Sequence, residues 1–362
     1  MLSKEMVLVI NPGSTSTKVA LFKGNENVVG TSLKHSPEEL NKFERIVDQY
    51  EYRRDMIIKW VEEEGHLLEE LSCVVGRGGL LRPISSGIYR VCDFMINDLR
   101  IGYQGEHASN LGGIISRSIA DEIGVESLIV DPVSVDEFKD VARISGLKEI
   151  TRRSLLHALN IKAKSYNVAK AMKTPLEEIN MVVAHLGGGI SVVPIEKGKM
   201  IDTNNANEMG PFSPERTGGL PVGDLIRMAY SGKYTEAQLK KKIKGNGGLT
   251  SYLGTNDAVE IERMIEEGNE YAKLVYEAMA YQIAKEIGAM ATVLMGDVQA
   301  IVLTGGLAYS KHLVNYIKSM VNFIAPVVIE AGEDEMDALN QGAQRALDNK
   351  DLIKDYKKEV MK

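Results

Sequence analysis

Residues 11–18 read Asn11-Pro12-Gly13-Ser14-Thr15-Ser16-Thr17-Lys18: an amide, a glycine, a run of hydroxyls and an ammonium in one short stretch. Apolar, strand-like runs flank it at 6–10 and 19–22. A strand, a tight turn and a second strand place backbone N–H groups, hydroxyls and one cation at a hairpin tip. That arrangement suits a phosphate, because turn amides point at an anion and glycine permits close approach. The design recurs. The run 181–184 leads through His185 and Leu186 into Gly187-Gly188-Gly189, Ile190 and Ser191, and then to a second apolar run at 192–195. A third version, 300–303 followed by Thr304-Gly305-Gly306-Leu307, runs towards a helix. Three strand-then-glycine loops suggest a nucleotide held between two related domains. The first is not a Walker P-loop, which requires G-x-x-x-x-G-K-[ST] between strand and helix. No H-R-D or D-F-G set of a protein kinase lies in a fitting context.

The elements that must carry these loops follow from periodicity. A helical character runs over 36–64, with Pro37 suited to a first turn after Ser36. The short strand 73–75 ends in Gly76-Arg77-Gly78-Gly79. Leu111, Ile115, Ile119 and Ile123 share one face of a helix over 110–123. The strand 127–130 ends at Asp131-Pro132, and a carboxylate at the C-terminal end of a central strand is well placed for a ligand crevice. Helices follow over 154–172 and 271–295, and a final helical region runs from 337. Between them, 204–223 is rich in Gly and Pro, a loop long enough to be functional. The 362 residues, 44% hydrophobic with net charge −7, are enough for two domains and lack the basic balance of a nucleic-acid binder. Cys73 and Cys92 read as buried thiols. No run reaches the roughly 18 apolar residues of a membrane span, and a cytoplasmic protein is expected.

The first motif resembles the opening signature of the acetate kinase family, N-x-G-S-[ST]-S-x-K after an apolar strand. His185-Leu186-Gly187-Gly188-Gly189-Ile190-Ser191 resembles its second signature, H-x-G-x-G-x-S, and Thr304-Gly305-Gly306 sits where the family's adenosine loop falls. The resemblance covers essentially the whole chain. It implies an α/β fold of two ribonuclease H-like, actin-like ATPase domains, with mixed sheets flanked by helices and nucleotide in the interdomain cleft. The domains are expected at 1–150, joined by a C-terminal helix 340–362, and at 151–339, which carries the adenosine site and the oligomer interface. The chain is shorter than a typical acetate kinase. It has Gly188 where acetate kinases have Asn, and its own loop from Gly210 to Gly219. These departures point to a branch of the family whose acceptor is butanoate.

The reaction so implied moves the γ-phosphoryl group of ATP to a fatty-acid carboxylate. A carboxylate is already ionised near neutrality, so no general base is needed. The obstacle is anion approaching anion, and cations, N–H donors and in-line placement must overcome it. The resemblance assigns Asn11, Ser14, Ser16 and Lys18 to the phosphate, with His185, Gly187, Gly188, Gly189, Thr304, Gly305 and Gly306 on the nucleotide. Mg²⁺ is implied, held by Asn11 and Glu335, with Glu333 the alternative in that acidic run. Asp131 resembles a metal-associated aspartate and is counted as catalytic. Arg77, with Arg82 in reserve, and Arg216 match the family's two arginines. His107 matches a histidine lining the site. The family's next histidine has no clean match: His157 aligns with its neighbour, and Arg153 competes for the place. Arg77, Gly78 and Gly79 are assigned to the substrate, the two glycines leaving room for extra methylenes. The partners implied are the small carboxylic acid, the nucleotide ATP/ADP and further copies of the chain as a homodimer or larger, with no nucleic acid and no membrane. Three other readings stand beside this one: another short- or branched-chain acyl kinase such as an acetate or propionate kinase, an actin- or chaperone-like ATPase switch, and a sugar kinase in which Asp131 serves as base.

Overall fold

The computed structural model describes residues 5–361. The chain forms two compact units, 1–136 with 334–362, and 137–333.

In the first unit, β1 (Met6–Pro12), β2 (Ser16–Lys23) and β3 (Glu26–Lys34) form an antiparallel meander. β4 (Leu71–Arg77) lies parallel to β1, and β6 (Glu126–Val130) lies parallel to β4. β5 (Ile88–Arg90) and the late strand Ile353–Asp355 close that edge. Helices α1 (Tyr50–Glu63) and α2 (Asn110–Ile123) bury Ile57, Trp60, Val61, Leu111, Ile115 and Ile119 against Leu8, Ile10, Val19 and Leu21. β1 has both faces covered, and all seven of its residues are buried.

In the second unit, β7 (Asn180–Leu186), β8 (Ile190–Glu196) and β9 (Lys199–Met200) form a second antiparallel meander. β10 (Ala300–Gly305) lies parallel to β7, and β11 (Val327–Ala331) parallel to β10. The order β11-β10-β7-β8-β9 repeats β6-β4-β1-β2-β3 strand for strand. Each unit is therefore one copy of a ribonuclease H-like sheet. Helix α3 (Ala158–Ala171) packs on β7 and β10. Helix α4 (Glu270–Val293) buries Tyr276, Met279, Ile283 and Ile287 against β7 and β8.

The chain divides earlier than 150/151, because residues 137–153 bond to the second unit. Glu137 accepts from the Met200 N–H (2.8 Å), and Arg152 pairs with Asp202 (2.8 Å). The return begins at 334 rather than 340, since helix α5 (Glu335–Asp348) packs on β1, β4 and β6. Gly342 permits that approach: a Cβ there would lie 2.6 Å from the Val130 methyls. The helical region expected over 36–64 is interrupted, with one turn at Pro37–Leu40 capped by Ser36, and α1 starting at Tyr50. Both cysteines are free thiols, and burial pushes Cys73 up to about 12. Among the described residues, no helix is long and apolar enough to cross a membrane.

Candidate active site

Three parallel strands of the first unit end side by side. Ile10 pairs with Gly76, and Arg77 with Val130, so Asn11, Arg77 and Asp131 close neighbouring strands β1, β4 and β6. The C-terminal edge of such strands is where ligands bind in open α/β sheets. Helix α5 starts at the same edge. Its Glu335 accepts a hydrogen bond from Asn11 Nδ2 and forms an ion pair with Arg77. Asn11, Arg77 and Glu335 are thus one contiguous group. Asp334, not Glu335, caps the helix, accepting from the Asp337 N–H at 3.0 Å. Asp131 is buried at 4% exposure and held at φ 38°, and its Oδ1 accepts the Gly87 N–H at 2.7 Å. A left-handed, non-glycine residue costs of the order of 1–3 kcal/mol and persists where its surroundings over-determine it.

The β1–β2 register pairs Lys18 with Asn11, so the two side chains share a sheet face. Ser14 and Thr15 sit exposed at the tip, and Ser16 is half-buried. His107 is exposed just before α2, its Nδ1 2.9 Å from Ser109 Oγ and accepting the Ser109 N–H at 3.2 Å. Arg82, the reserve for Arg77, faces elsewhere. Its guanidinium forks onto buried Asp98 (2.8 and 3.2 Å) and lies over the Tyr103 ring.

The space that side chains at Gly78 and Gly79 would take is filled by protein, so the missing side chains do not leave the room for extra methylenes expected there. A Cβ on Gly78 would lie 2.4 Å from Pro132 Cβ, and one on Gly79 would lie 2.6 Å from Asn110 Cα. The space is filled by the turn after β6 and the start of α2. These glycines let the Arg77 loop lie flat against both elements.

In the second unit the β7–β8 hairpin carries Gly187, Gly188 and Gly189. His185 is buried beneath it and stacks on His157, with centroids 3.9 Å apart. His185 Nδ1 lies 2.9 Å from Asn160 Oδ1, and His157 Nδ1 lies 2.9 Å from Ser191 Oγ. Burial and the neighbouring His157 push the His185 imidazole well below its ordinary range, so it is neutral at pH 7. Thr304 Oγ1 is within hydrogen-bond distance of both Asn160 Oδ1 (3.2 Å) and the Gly332 carbonyl (3.1 Å), and Gly305 pairs with Gly332 through both backbone groups. Gly305 has φ 86°, and a Cβ there would lie 2.4 Å from the Leu186 carbonyl oxygen. The loops bearing Gly187–Gly189 and Thr304–Gly306 are therefore joined through His185, Asn160 and Gly332. His157 belongs to this cluster, whereas Arg153 is exposed. Glu333 lies 3.7 Å from His185 Nε2, in the second unit.

Arg216 lies across Gly189. A Cβ on Gly189 would sit 2.2 Å from Arg216 Nη1. Nη1 donates to the Ala206 carbonyl at 3.0 Å, while Nε is buried with no hydrogen-bond partner among the described residues. Burial lowers the guanidinium from its ordinary range. A half-buried cation with an unsatisfied, buried Nε beside a triple-glycine turn is chemically suited to a bidentate anion.

The sequence reading missed Arg53, Asn160 and His35. Arg53 had a signal: it shares the apolar face of α1 with Ile57, Trp60 and Val61 at helical spacing. Asn160 had none, because its role depends on the pairing of β7 with β10.

The chain matches the sequence profile of the acetokinase family over residues 144–348. It is 55% identical over 350 residues to "Probable butyrate kinase 2" of Caldanaerobacter subterraneus subsp. tengcongensis, covering 97% of this chain and 99% of the relative. It is 50% identical to "Butyrate kinase 2" of Clostridium acetobutylicum, covering 98% of this chain and all of the relative. Among solved structures it is similar to Porphyromonas gingivalis acetate kinase, with TM-score 0.76 at 18% identity, covering 95% of this chain and 100% of the other. A propionate kinase from Francisella tularensis gives 0.71 at 17%, covering 93% and 98%. These two likenesses establish the fold.

Proposed function

The chain belongs to the acetokinase family, ATP-dependent phosphotransferases with a carboxylate acceptor, and on that footing we propose that it phosphorylates butanoate to butanoyl phosphate. The observation that carries the acid is the identity of 50–55% to butyrate kinases over nearly the full chain.

The geometry is compatible with this chemistry. The butanoate oxygen is the nucleophile and needs no base. The charge developing on the transferring phosphoryl group calls for fixed cations and amides. In the first unit, Arg77 and Lys18 supply charge, and Asn11 is fixed between strand and helix. In the second, Arg216 supplies the fork, and the 187–189 and 304–306 turns hold the nucleotide. Neutral His185, stacked and hydrogen-bonded, positions the turn above it rather than moving a proton. His107 and Asp131 are assigned to the site with lesser roles, contact with the acid and support of the strand edge.

Mg²⁺ fits the donor set. Asn11 Oδ1 and the Glu335 carboxylate are hard oxygen donors on adjoining elements. Mg²⁺ is commonly held by one carboxylate together with substrate phosphates and water, and such a pair could provide the carboxylate. Asn11 and Glu335 would hold it, and it would supply neutralisation of phosphate charge.

A homodimer or larger assembly and a cytoplasmic location complete the proposal. Val222, Ile226, Tyr230 and Leu274 are apolar and exposed on the second unit, which supports self-association. Light scattering after gel filtration tests it: a single-chain mass removes it. The activity is tested by ADP formation with butanoate, with glucose and glycerol as controls. Turnover must require the carboxylate. Acid-independent ATP hydrolysis, or product from a sugar, refutes the reading.

A further inference from the structure

Arg53 is 1% exposed on α1, and among the described residues its hydrogen-bond partners are all neutral. Nη1 donates to the Gly13 carbonyl (2.8 Å), to Thr17 Oγ1 (3.1 Å) and more distantly to the Ser16 carbonyl (3.4 Å). Nη2 donates to the Ser14 carbonyl (3.2 Å) and, with Nε, to Gln49 Oε1 (2.7 and 3.2 Å). An ionised group buried without a counter-charge is costly, and burial lowers this guanidinium to about 10. Its neighbour His35, whose Nε2 is 2.8 Å from Thr17 Oγ1, is held neutral by the same burial and by Arg53.

The direction of these bonds matters. In a trans peptide the C=O of one residue and the N–H of the next point opposite ways. Carbonyls of Gly13 and Ser14 turned towards α1 therefore turn the N–H groups of Ser14 and Thr15 away from it, at the exposed tip. Two successive amides so aimed make an anion-binding nest.

We propose that Arg53 is the positioning residue of the first hairpin, holding its carbonyls beneath so that its amides face a phosphate, and supplying charge that the bound phosphate answers. This rests on the reading of the hairpin as a phosphate site. The ligand class is a phosphate ester or anhydride, in the first place the terminal phosphates of ATP.

The test uses the full chain with MgATP and inorganic phosphate. Arg53→Lys keeps the charge but loses the fork. The KM for ATP should rise by about ten-fold while that for butanoate stays within about two-fold. The rise in Tm caused by ATP should shrink to less than about half. A purely structural role lowers Tm equally with and without ligand. A folded Arg53→Lys with wild-type ATP affinity and Tm increment overturns the proposal. Should that variant fail to fold, Gln49→Met frees two guanidinium bonds at little cost in volume. It should raise the KM for ATP by about three-fold, and no change overturns the proposal. Lys18→Met separates the two ideas. If it weakens ATP binding and Arg53→Lys does not, the hairpin reading stands and Arg53 has no such role. If neither affects ATP, the hairpin is not the phosphate site and the proposal falls with it.

Discussion

Substituting Gly189 by alanine tests whether Arg216 acts from where it lies. The new Cβ would be 2.2 Å from Nη1 and 2.7 Å from Cζ of Arg216. Ordinary heavy-atom contact is about 3.5–4 Å, so the guanidinium must retreat by more than about 1 Å. It can do so, because it is the end of a flexible side chain, and only the bond to the Ala206 carbonyl is lost. That loss, about 1 kcal/mol, is offset in part by the lower unfolded-chain entropy of alanine. Stability should therefore hardly change. Activity should change, since displacing a positioning group by about 1 Å costs up to about 10²-fold. We expect kcat/KM for butanoate to fall by about 10–100-fold, equivalent to about 1.4–2.7 kcal/mol of transition-state stabilisation. Two neighbours calibrate the result. Gly188→Ala places its Cβ 3.5 Å from Glu215 Oε1, an ordinary contact, and should leave stability unchanged. Gly305→Ala meets the Leu186 backbone at 2.4 Å with φ 86° and should cost about 2–4 kcal/mol of stability. Steady-state kinetics and thermal melts of the three variants provide the readout. The Gly189→Ala, Arg216→Ala double variant should be no worse than Arg216→Ala alone. Wild-type kcat/KM in Gly189→Ala, or full additivity in the double variant, would refute the reasoning.

Three further outcomes are expected. Glu335→Gln should lower kcat/KM by about ten-fold or more and shift activity to higher Mg²⁺ concentration, whereas Glu333→Gln should leave the Mg²⁺ dependence unchanged; a Mg²⁺ titration of both variants decides. Tyr356→Phe removes the hydroxyl that donates to buried Asp98 at 2.8 Å and accepts the Arg82 N–H at 3.2 Å; it should cost about 1–3 kcal/mol by urea unfolding with kcat/KM unchanged. His35 is held down to about 4 by burial and by Arg53. The unfolded chain, with an ordinary imidazole near 6.5, therefore binds more protons between those values, and stability falls as pH drops from about 6.5 to about 4. Urea midpoints across that window should show a shallower slope for His35→Asn, which can keep the bond to Thr17; an unchanged slope would place the proton uptake elsewhere.

Much of the first unit's edge was legible because its signals are local. Asn11 and Lys18 lie in a short motif whose hairpin pairs them directly. The helix over 110–123 has the bounds its four-residue apolar spacing predicts. Other features depend on distant partners. Glu335 became distinguishable from Glu333 only once α5 packed on β1 and brought it to Asn11 and Arg77, more than 250 residues earlier in the chain. Gly78 and Gly79 looked like open space in sequence, yet Asn110 and Pro132 fill it. Arg77 was preferred over Arg82 from its place between glycines, and the pairing of Arg82 with buried Asp98, which no local signal announces, sets the two apart. His35 carried no sequence signal at all, since its environment is made by Thr17 and Arg53 from two other elements.

The most direct test of the central claim is acyl-hydroxamate formation from ATP, Mg²⁺ and hydroxylamine with butanoate, isobutanoate, propanoate and acetate. Each buried methylene is worth about 0.8 kcal/mol, so two should favour butanoate over acetate by about 10–20-fold in kcat/KM. Acetate turned over ahead of butanoate would contradict the assignment of the acid, and no hydroxamate from any of the four would contradict the acyl kinase itself.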